Sequence, residues 1–539
     1  MIIFQTATAI LLFITASLAA DDPLIVETTH GKLQGRWMTS RAGRKFLAFS
    51  GVPFAKPPVG SRRFEPPEEM ERWTGIRNAT QPGPWCLQVN TFEIDPVAFG
   101  TEDCLYLSVY THRRTSKNAV MIHFHGGGWN SGDAEHKTLP TYMMDKDVVI
   151  VDVNNRLAFL GFLSFEDKTM PGNQGLKDQV MAMKWVQKNI ARFGGDPKRV
   201  TIVGESAGAG SVYHHTVSPM TTGLFHRAIA ESGTSYNGWA VAPPGLAKTN
   251  CQKLAKLLGC PIDTTTAAVN CLKARNATDI AVTITQFLVW QIDSTLIWPV
   301  LEPNEPGAFL TGPISKWKHN PVPLMLGTTS GEGLLRTGYF DYYKTELEWI
   351  NDNFERLAPM SLMYEYTASN PSEITKKVRE FYFRNGKITS DSWFNLTQLY
   401  TDTWFAIGII DGANYHTGDV YFYYFDYIGE HTYGPEYNRT LYFGAPHTEE
   451  INFIWENPNV NWTLEGEDKK FSRRLVKIWT DFAKFGTPAP RGSDISWTKW
   501  NPKHHNYLEM SKSGIKGKQG FAKDRYKFWK SINYRDLLK

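Results

Sequence analysis

The run Thr201-Ile202-Val203-Gly204-Glu205-Ser206-Ala207-Gly208 constrains the fold of this chain more than any other segment. An apolar, β-branched strand ends in Gly-x-Ser-x-Gly, and a Gly- and Ala-rich stretch that can start a helix follows. A serine at such a strand-to-helix corner sits on a sharp, strained turn. A side chain at Gly204 or Gly208 would collide with the neighbouring strand or helix. The turn pushes the Ser206 hydroxyl out at the carboxyl edge of a sheet, where a base can reach it. The segment reads as a nucleophile elbow.

Other parts of the chain supply the sheet that such an elbow needs. Short β-branched runs at 119–124, 148–153, 200–203, 228–231, 322–326 and 420–427 are each followed by loops and helical stretches. Residues 178–190 form an amphipathic helix, with Val180, Met181, Met183, Trp185 and Val186 as its apolar residues. Strands alternating with helices imply an α/β fold with a mostly parallel sheet covered on both faces. Ligands of such sheets bind at the carboxyl ends of the strands. The Pro- and Gly-rich stretch 51–67 reads as a loop. No internal repeat or low-complexity linker divides the chain, so 21–539 is expected to be one large domain. With 42% hydrophobic and 13% aromatic residues, it has ample material for a large core.

Residues 1–20 read as a secretory signal. The apolar segment 9–14 is followed by the small residues of 16–20, and then by Asp21 and Asp22. The apolar run is too short to span a membrane comfortably, and no second run of spanning length follows. The mature protein is therefore expected to be soluble and secreted. Asn-x-Ser/Thr sequons at Asn78, Asn276, Asn395, Asn438 and Asn461 agree with export as glycosylation candidates. The net charge of +4 over 539 residues, with no basic run carrying interleaved aromatics, argues against a nucleic-acid partner. None of the five cysteines forms a Cys-x-x-Cys pattern. The close pairs Cys86–Cys104 and Cys260–Cys271 are the natural bridges, each worth about 3 kcal/mol. Cys251 is left over on the apolar face of a helix at 248–258, where a thiol is expected to be buried and inert.

A serine hydroxyl needs a base, an orienting acid and donors for an oxyanion before it can act as a nucleophile at neutral pH. His125-Gly126-Gly127-Gly128-Trp129 follows the strand at 119–124. Consecutive glycines there let backbone N–H groups face a substrate oxygen. The same residues can be read as a flexible turn, or as a metal site, because His123 and His125 share one strand face. No third ligand stands nearby, so neither a metal nor another cofactor is expected.

These motifs resemble the type B carboxylesterase/cholinesterase family of α/β-hydrolases, and most of all its secreted insect carboxylesterases. The resemblance spans nearly the whole mature chain. It is carried by 49–55 (Phe-Ser-Gly-Val-Pro-Phe-Ala), 102–105 (Glu-Asp-Cys-Leu), 173–179 (Asn-Gln-Gly-Leu-Lys-Asp-Gln) and 193–197 (Phe-Gly-Gly-Asp-Pro). It implies an α/β-hydrolase fold and a hydrolase of small apolar carboxylic esters that works through an acyl-enzyme. Its nucleophile falls on Ser206 and its oxyanion donors on Gly127, Gly128 and the N–H of Ala207. The acid falls on Glu332, in the loop after 322–326, and the base on His447. Gly331 stands where the family often has Asp. In isolation Glu332 reads equally as a solvated loop carboxylate and His447 as a surface histidine.

Glu205 matches a second buried carboxylate that stabilises the imidazolium, or is a tolerated elbow residue. Trp129 and Trp239 match positions lining the family's pocket, or are core aromatics, and 290–298 extends that pocket. Arg156 and Asp178 match a structural salt bridge. The loop 87–103 lacks the tryptophan that binds choline in the family's cholinesterases. Juvenile hormone esterases typically carry Gln before the nucleophile, where this chain has Glu205. The alternative reading is a non-catalytic, adhesion-type member, although such members usually lack part of the triad. The natural ester and the oligomeric state are not readable from the sequence.

Overall fold

The computed structural model describes residues 22–91, 96–288, 297–338, 345–432 and 443–535. The signal at 1–20 and the sequon at Asn438 lie outside the described residues. Among the described residues, eleven strands form one sheet: Arg36–Thr39 (β1), Lys45–Pro53 (β2), Tyr106–Thr111 (β3), Asn118–Phe124 (β4), Val149–Val153 (β5), Gly195–Glu205 (β6), Arg227–Glu231 (β7), Leu324–Thr329 (β8), Val420–Asp426 (β9), Tyr507–Ser511 (β10) and Gly514–Lys518 (β11). Their spatial order is β11-β10-β9-β8-β7-β6-β4-β5-β3-β2-β1. The pairs from β5 through β10 are parallel. Antiparallel strands complete both edges. The fold is therefore that of an α/β-hydrolase, and its sheet is mostly parallel, as the alternation of strands and helices implies.

Strand residues alternate between the two faces of the sheet. Val149, Val151 and Val153 join one apolar cluster and Ile150 the other, while Val200 and Ile202 oppose Val203 in the same way. Helix α1 (Gln174–Asn189) and helix α2 (Ala207–Val217) pack on the first face. Helix α3 (Gly466–Phe485) covers the second with Leu475, Trp479 and Phe482, all fully buried. Burying each such side chain contributes roughly 1.5–3 kcal/mol.

Helix α1 starts four residues before the expected 178. Its first turn is polar but still buried, because ion pairs replace apolar contacts. Lys177 pairs with Glu302 at 2.7 Å and Asp178 with Arg156 at 2.6 Å. Apolar periodicity cannot report a turn held this way. The stretch 51–67 is also not all loop, since its first three residues end β2.

Both expected bridges, Cys86–Cys104 and Cys260–Cys271, are formed, and Cys251 is buried. Burial pushes the Cys251 thiol up to about 12. No helix among the described residues is long and apolar enough to cross a membrane.

The chain runs from β4 to β5 on one side of β4, then returns to place β6 on its other side. That reversal opens a crevice at the carboxyl ends of β4 and β6, the general ligand position of such sheets. β4 ends at Phe124, before the triple-glycine segment, and β6 ends at Glu205, before Ser206.

Candidate active site

Ser206 sits at φ 58°, ψ −122°, a conformation that an L-residue holds only under constraint. Hydrogen bonds supply the constraint. The Ser206 N–H donates to the Glu231 carbonyl at 2.8 Å, and the Gly210 N–H donates to the Ser206 carbonyl at 2.9 Å. A Cβ on Gly204 would meet the Gly208 carbonyl carbon at 2.5 Å and the Phe124 carbonyl oxygen at 2.7 Å. A Cβ on Gly208 would strike that same Phe124 oxygen. Strand β6, helix α2 and the end of β4 thus approach too closely for any side chain at these two positions. Ser206 itself is half-buried between buried neighbours.

The triple-glycine segment folds back over the elbow. Gly127 and Gly128 take φ values of 100° and 63°, and a Cβ on Gly126 would reach the Glu205 carboxylate and, at 3.2 Å, Ser206 Cβ. Among the described residues, the N–H groups of Gly127, Gly128 and Ala207 have no hydrogen-bond partner. Three unused donors beside a half-buried hydroxyl can receive an oxyanion. His123 and His125 do not converge. His123 Nδ1 faces Asp152 Oδ1 at 3.1 Å, and His125 Nδ1 faces the Gly126 carbonyl at 2.8 Å.

Glu332 and His447 meet because their loops are stitched together. The Gly331 N–H donates to the Ala445 carbonyl at 2.7 Å, and the Ala445 N–H donates to Ser330 Oγ at 2.7 Å. A Cβ on Gly331 would lie 2.9 Å from the Phe443 carbonyl oxygen and 3.0 Å from that of Ala445. This close backbone approach leaves little room for a side chain at Gly331. His447 Nδ1 lies 2.5 Å from Glu332 Oε2. Glu332 Oε1 accepts from Ser232 Oγ at 2.5 Å, Thr328 Oγ1 at 2.8 Å and the Thr329 N–H at 2.8 Å. Burial alone would raise the Glu332 carboxyl. The His447 charge and the donors from His447, Ser232 and Thr329 outweigh it and hold the group below the usual range. Glu332 is thus an ordered buried carboxylate, not a solvated one.

Glu205 reaches the other side of the imidazole. Its Oε1 stands 3.0 Å from His447 Nε2, at ion-pair distance but outside hydrogen-bond geometry. Burial pulls His447 down, but the charges of Glu205 and Glu332, with the hydrogen bond to Glu332, lift it to about 10. The two carboxylates on either side therefore favour the cationic form of the imidazole. Among the described residues no hydrogen bond joins it to Ser206 Oγ. Two further acids lie close behind. Burial, with the Glu332 charge, raises Glu450 to about 8, and burial, with the Glu450 charge, raises Glu231 well above its usual range.

Trp129 and Trp239 do come together beside the elbow. Their rings are 5.7 Å apart, and a Cβ on Gly210 would touch both at 3.0–3.2 Å. Trp239 continues to Phe405 at 6.0 Å, and Phe405 lies over His447 at 4.5 Å. Of 290–298, residues 290–296 lie outside the described residues. Trp298 is buried in a small cluster that Trp239 packs against.

Sequence reasoning missed Ser232 and Phe405. Ser232 directly follows β7 in Glu231-Ser232-Gly233, an echo of the elbow's own acidic residue and serine, and it too has a positive φ of 59°. Phe405 sits in a π-helical turn, Thr401–Ala406, with no local sequence signal. The turn fits around Gly333, whose N–H donates to Thr401 Oγ1 at 2.9 Å. It also offers the Trp404 carbonyl to Trp239 Nε1 at 2.6 Å. Single π turns inside helices frequently occur at functional sites.

A profile of the carboxylesterase family matches residues 22–529. Esterase FE4 of Myzus persicae is 35% identical over 516 residues, covering 92% of this chain and 90% of that protein. The juvenile hormone esterase of Tribolium castaneum is 35% identical over 506 residues, covering 88% of this chain and 86% of that protein. The crystal structure of juvenile hormone esterase from Manduca sexta, with OTFP covalently attached, superposes with a TM-score of 0.83 at 26% identity. It matches 95% of this chain and 99% of the Manduca chain.

Proposed function

From membership of the carboxylesterase family, to which this chain belongs as a serine carboxylic-ester hydrolase, we propose that Ser206, His447 and Glu332 are its catalytic triad. The observation that carries the proposal is the chain of contacts from Glu332 through His447 to the mouth of the elbow. When the imidazolium gives up its Nε2 proton, the charge attraction to Glu205 ends and the Nε2 lone pair becomes available. The neutral base then accepts the Ser206 proton as Oγ attacks the ester carbonyl. The N–H groups of Gly127, Gly128 and Ala207 receive the oxyanion. The imidazolium passes its proton to the departing alcohol, leaving an acyl-Ser206. A water activated by the same base hydrolyses it. Glu205 and Glu332 stabilise the imidazolium each time it forms.

The substrates we propose are apolar carboxylic esters of the xenobiotic, lipid-like, hormone or odorant kind. A wall of Trp129, Trp239 and Phe405 rewards buried apolar area at about 25 cal/mol per Å². A quaternary ammonium needs an open aromatic face instead. Loop 87–103 has no tryptophan. Trp85, just before it, stacks on His136 at 4.7 Å and has Lys137 over its ring at 5.9 Å. We further propose that the protein is secreted. Asn78, Asn276, Asn395 and Asn461 are exposed sequons, and the side-chain amide of Asn395 donates to the Tyr382 carbonyl at 2.9 Å. The experiment compares kcat/KM for acetyl and butyryl esters of naphthol and nitrophenol with the choline esters of the same acids. Aryl esters are expected to win clearly. Equal or faster choline-ester hydrolysis would overturn the substrate assignment.

A further inference from the structure

The loop that carries Trp239 has a second cavity beside it, of about 340 Å³, into which Tyr236 contributes its ring. Tyr236 stacks with Tyr415 at 5.0 Å and with His319 at 6.2 Å, and meets Trp317 edge-on at 6.3 Å. Together these rings form one aromatic wall of the slot, whose volume lies within the range of small-molecule sites. Its polar groups are unevenly satisfied. Lys530 is paired with Asp411 at 3.1 Å. Arg535 has no carboxylate partner among the described residues. Its guanidinium donates to the carbonyls of Tyr236 and, at 3.3 Å, of Asn237, and lies 6.0 Å from the centre of the Tyr534 ring. Arg535 Nε is buried without a hydrogen-bond partner, and so is His319 Nδ1, while His319 Nε2 is engaged by the Tyr236 hydroxyl at 3.1 Å. Native proteins rarely leave such nitrogens unused.

A flat aromatic wall, an uncompensated guanidinium and two idle nitrogens define one ligand chemistry. We propose that this cavity is a second binding site, separate from the ester pocket, for a planar aromatic acid. The ring lies in the cavity against the wall of Tyr236, Tyr415 and Trp317, and the carboxylate takes the charge of Arg535. Burial pulls His319 down to about 4, so it adds a hydrogen-bonding edge to the slot and no charge of its own. A quaternary ammonium is disfavoured by the same unpaired Arg535.

The test is calorimetric titration of 2-naphthoate into the intact enzyme, with two variants that separate this cavity from the ester pocket. Tyr415 is 53% exposed on the cavity rim, so Tyr415→Ala leaves the core intact, and a melting curve checks this. Wild type should bind one equivalent with saturation at or below ~1 mM, and Tyr415→Ala should weaken binding at least about tenfold. Trp239→Ala, at a side chain that does not line this cavity, should leave binding within about twofold, and neutral 2-naphthol should bind at least about tenfold more weakly. The absence of saturable binding overturns the proposal. So does full binding by folded Tyr415→Ala, or loss of binding in Trp239→Ala, which would place the ligand in the ester pocket. Equal affinity for 2-naphthol overturns the assignment of an acid.

Discussion

Replacing Glu205 with glutamine removes one charge beside the imidazole and keeps the shape of the side chain. Glu205 Oε1 is 3.0 Å from His447 Nε2. At an effective dielectric constant of about 20, two unit charges at that distance attract by roughly 5 kcal/mol. One pKa unit is 1.36 kcal/mol, so the ceiling is roughly 4 units. Both charges are shared over two atoms, which lengthens their mean separation and brings the shift below that ceiling. The sign follows from the direction of the shift. His447 is raised above its ordinary value of 6.5. It stays protonated, and unable to accept the serine proton, until the pH climbs through that raised value. Activity must therefore increase with pH, and Glu205→Gln must move the midpoint downward. The plateau at high pH should also fall, because the imidazolium formed during the reaction loses one of its two anions. The assay is kcat/KM for a naphthyl ester across pH, which reports the free enzyme. A midpoint that stays where wild type has it, or moves upward, would refute the electrostatic role given to Glu205.

Glu332→Gln should remain folded yet lose about 10³-fold or more in kcat, since the imidazole loses the anion that orients it. Wild-type turnover in that variant would move the acid to another carboxylate. Peptide mapping without reduction should recover Cys86–Cys104 and Cys260–Cys271 and leave Cys251 alkylated only after unfolding. A Cys251–Cys260 peptide would contradict the buried position of Cys251.

The elbow was legible because its constraint is local. Two glycines and a β-branched run determine where a strand can turn into a helix. Central strands were legible for a related reason. A strand covered on both faces is a short apolar run, and β4, β5 and β9 fall within one or two residues of 119–124, 148–153 and 420–427. β8 was placed too early. Its last residues, Gly327-Thr328-Thr329, look like a loop, but they pair with Tyr423, Tyr424 and Phe425, and Gly327 lies against the Tyr423 ring. The antiparallel strands β1–β3 and the β10–β11 hairpin went unread because their pairing partners, not their own patterns, make them strands.

The same division holds at the site. Ser206, Glu332 and His447 stood in motifs with recognisable neighbours. Ser232 and Phe405 are defined only by what they touch, namely the far oxygen of Glu332 and the face of His447. The position of Glu205 across Nε2 depends on how the glycine segment folds over the elbow, and no spacing in the sequence encodes that.

The central claim is that Ser206 is the nucleophile, and covalent labelling tests it most directly. The enzyme is treated with diethyl 4-nitrophenyl phosphate, digested, and mapped by mass spectrometry, with Ser206→Ala run beside it. One diethylphosphoryl group is expected, on the peptide containing Ser206, in step with loss of esterase activity. Ser206→Ala should take no label and retain about 10⁻⁴ of wild-type turnover or less. A label on another residue, with Ser206→Ala still fully active, would contradict it.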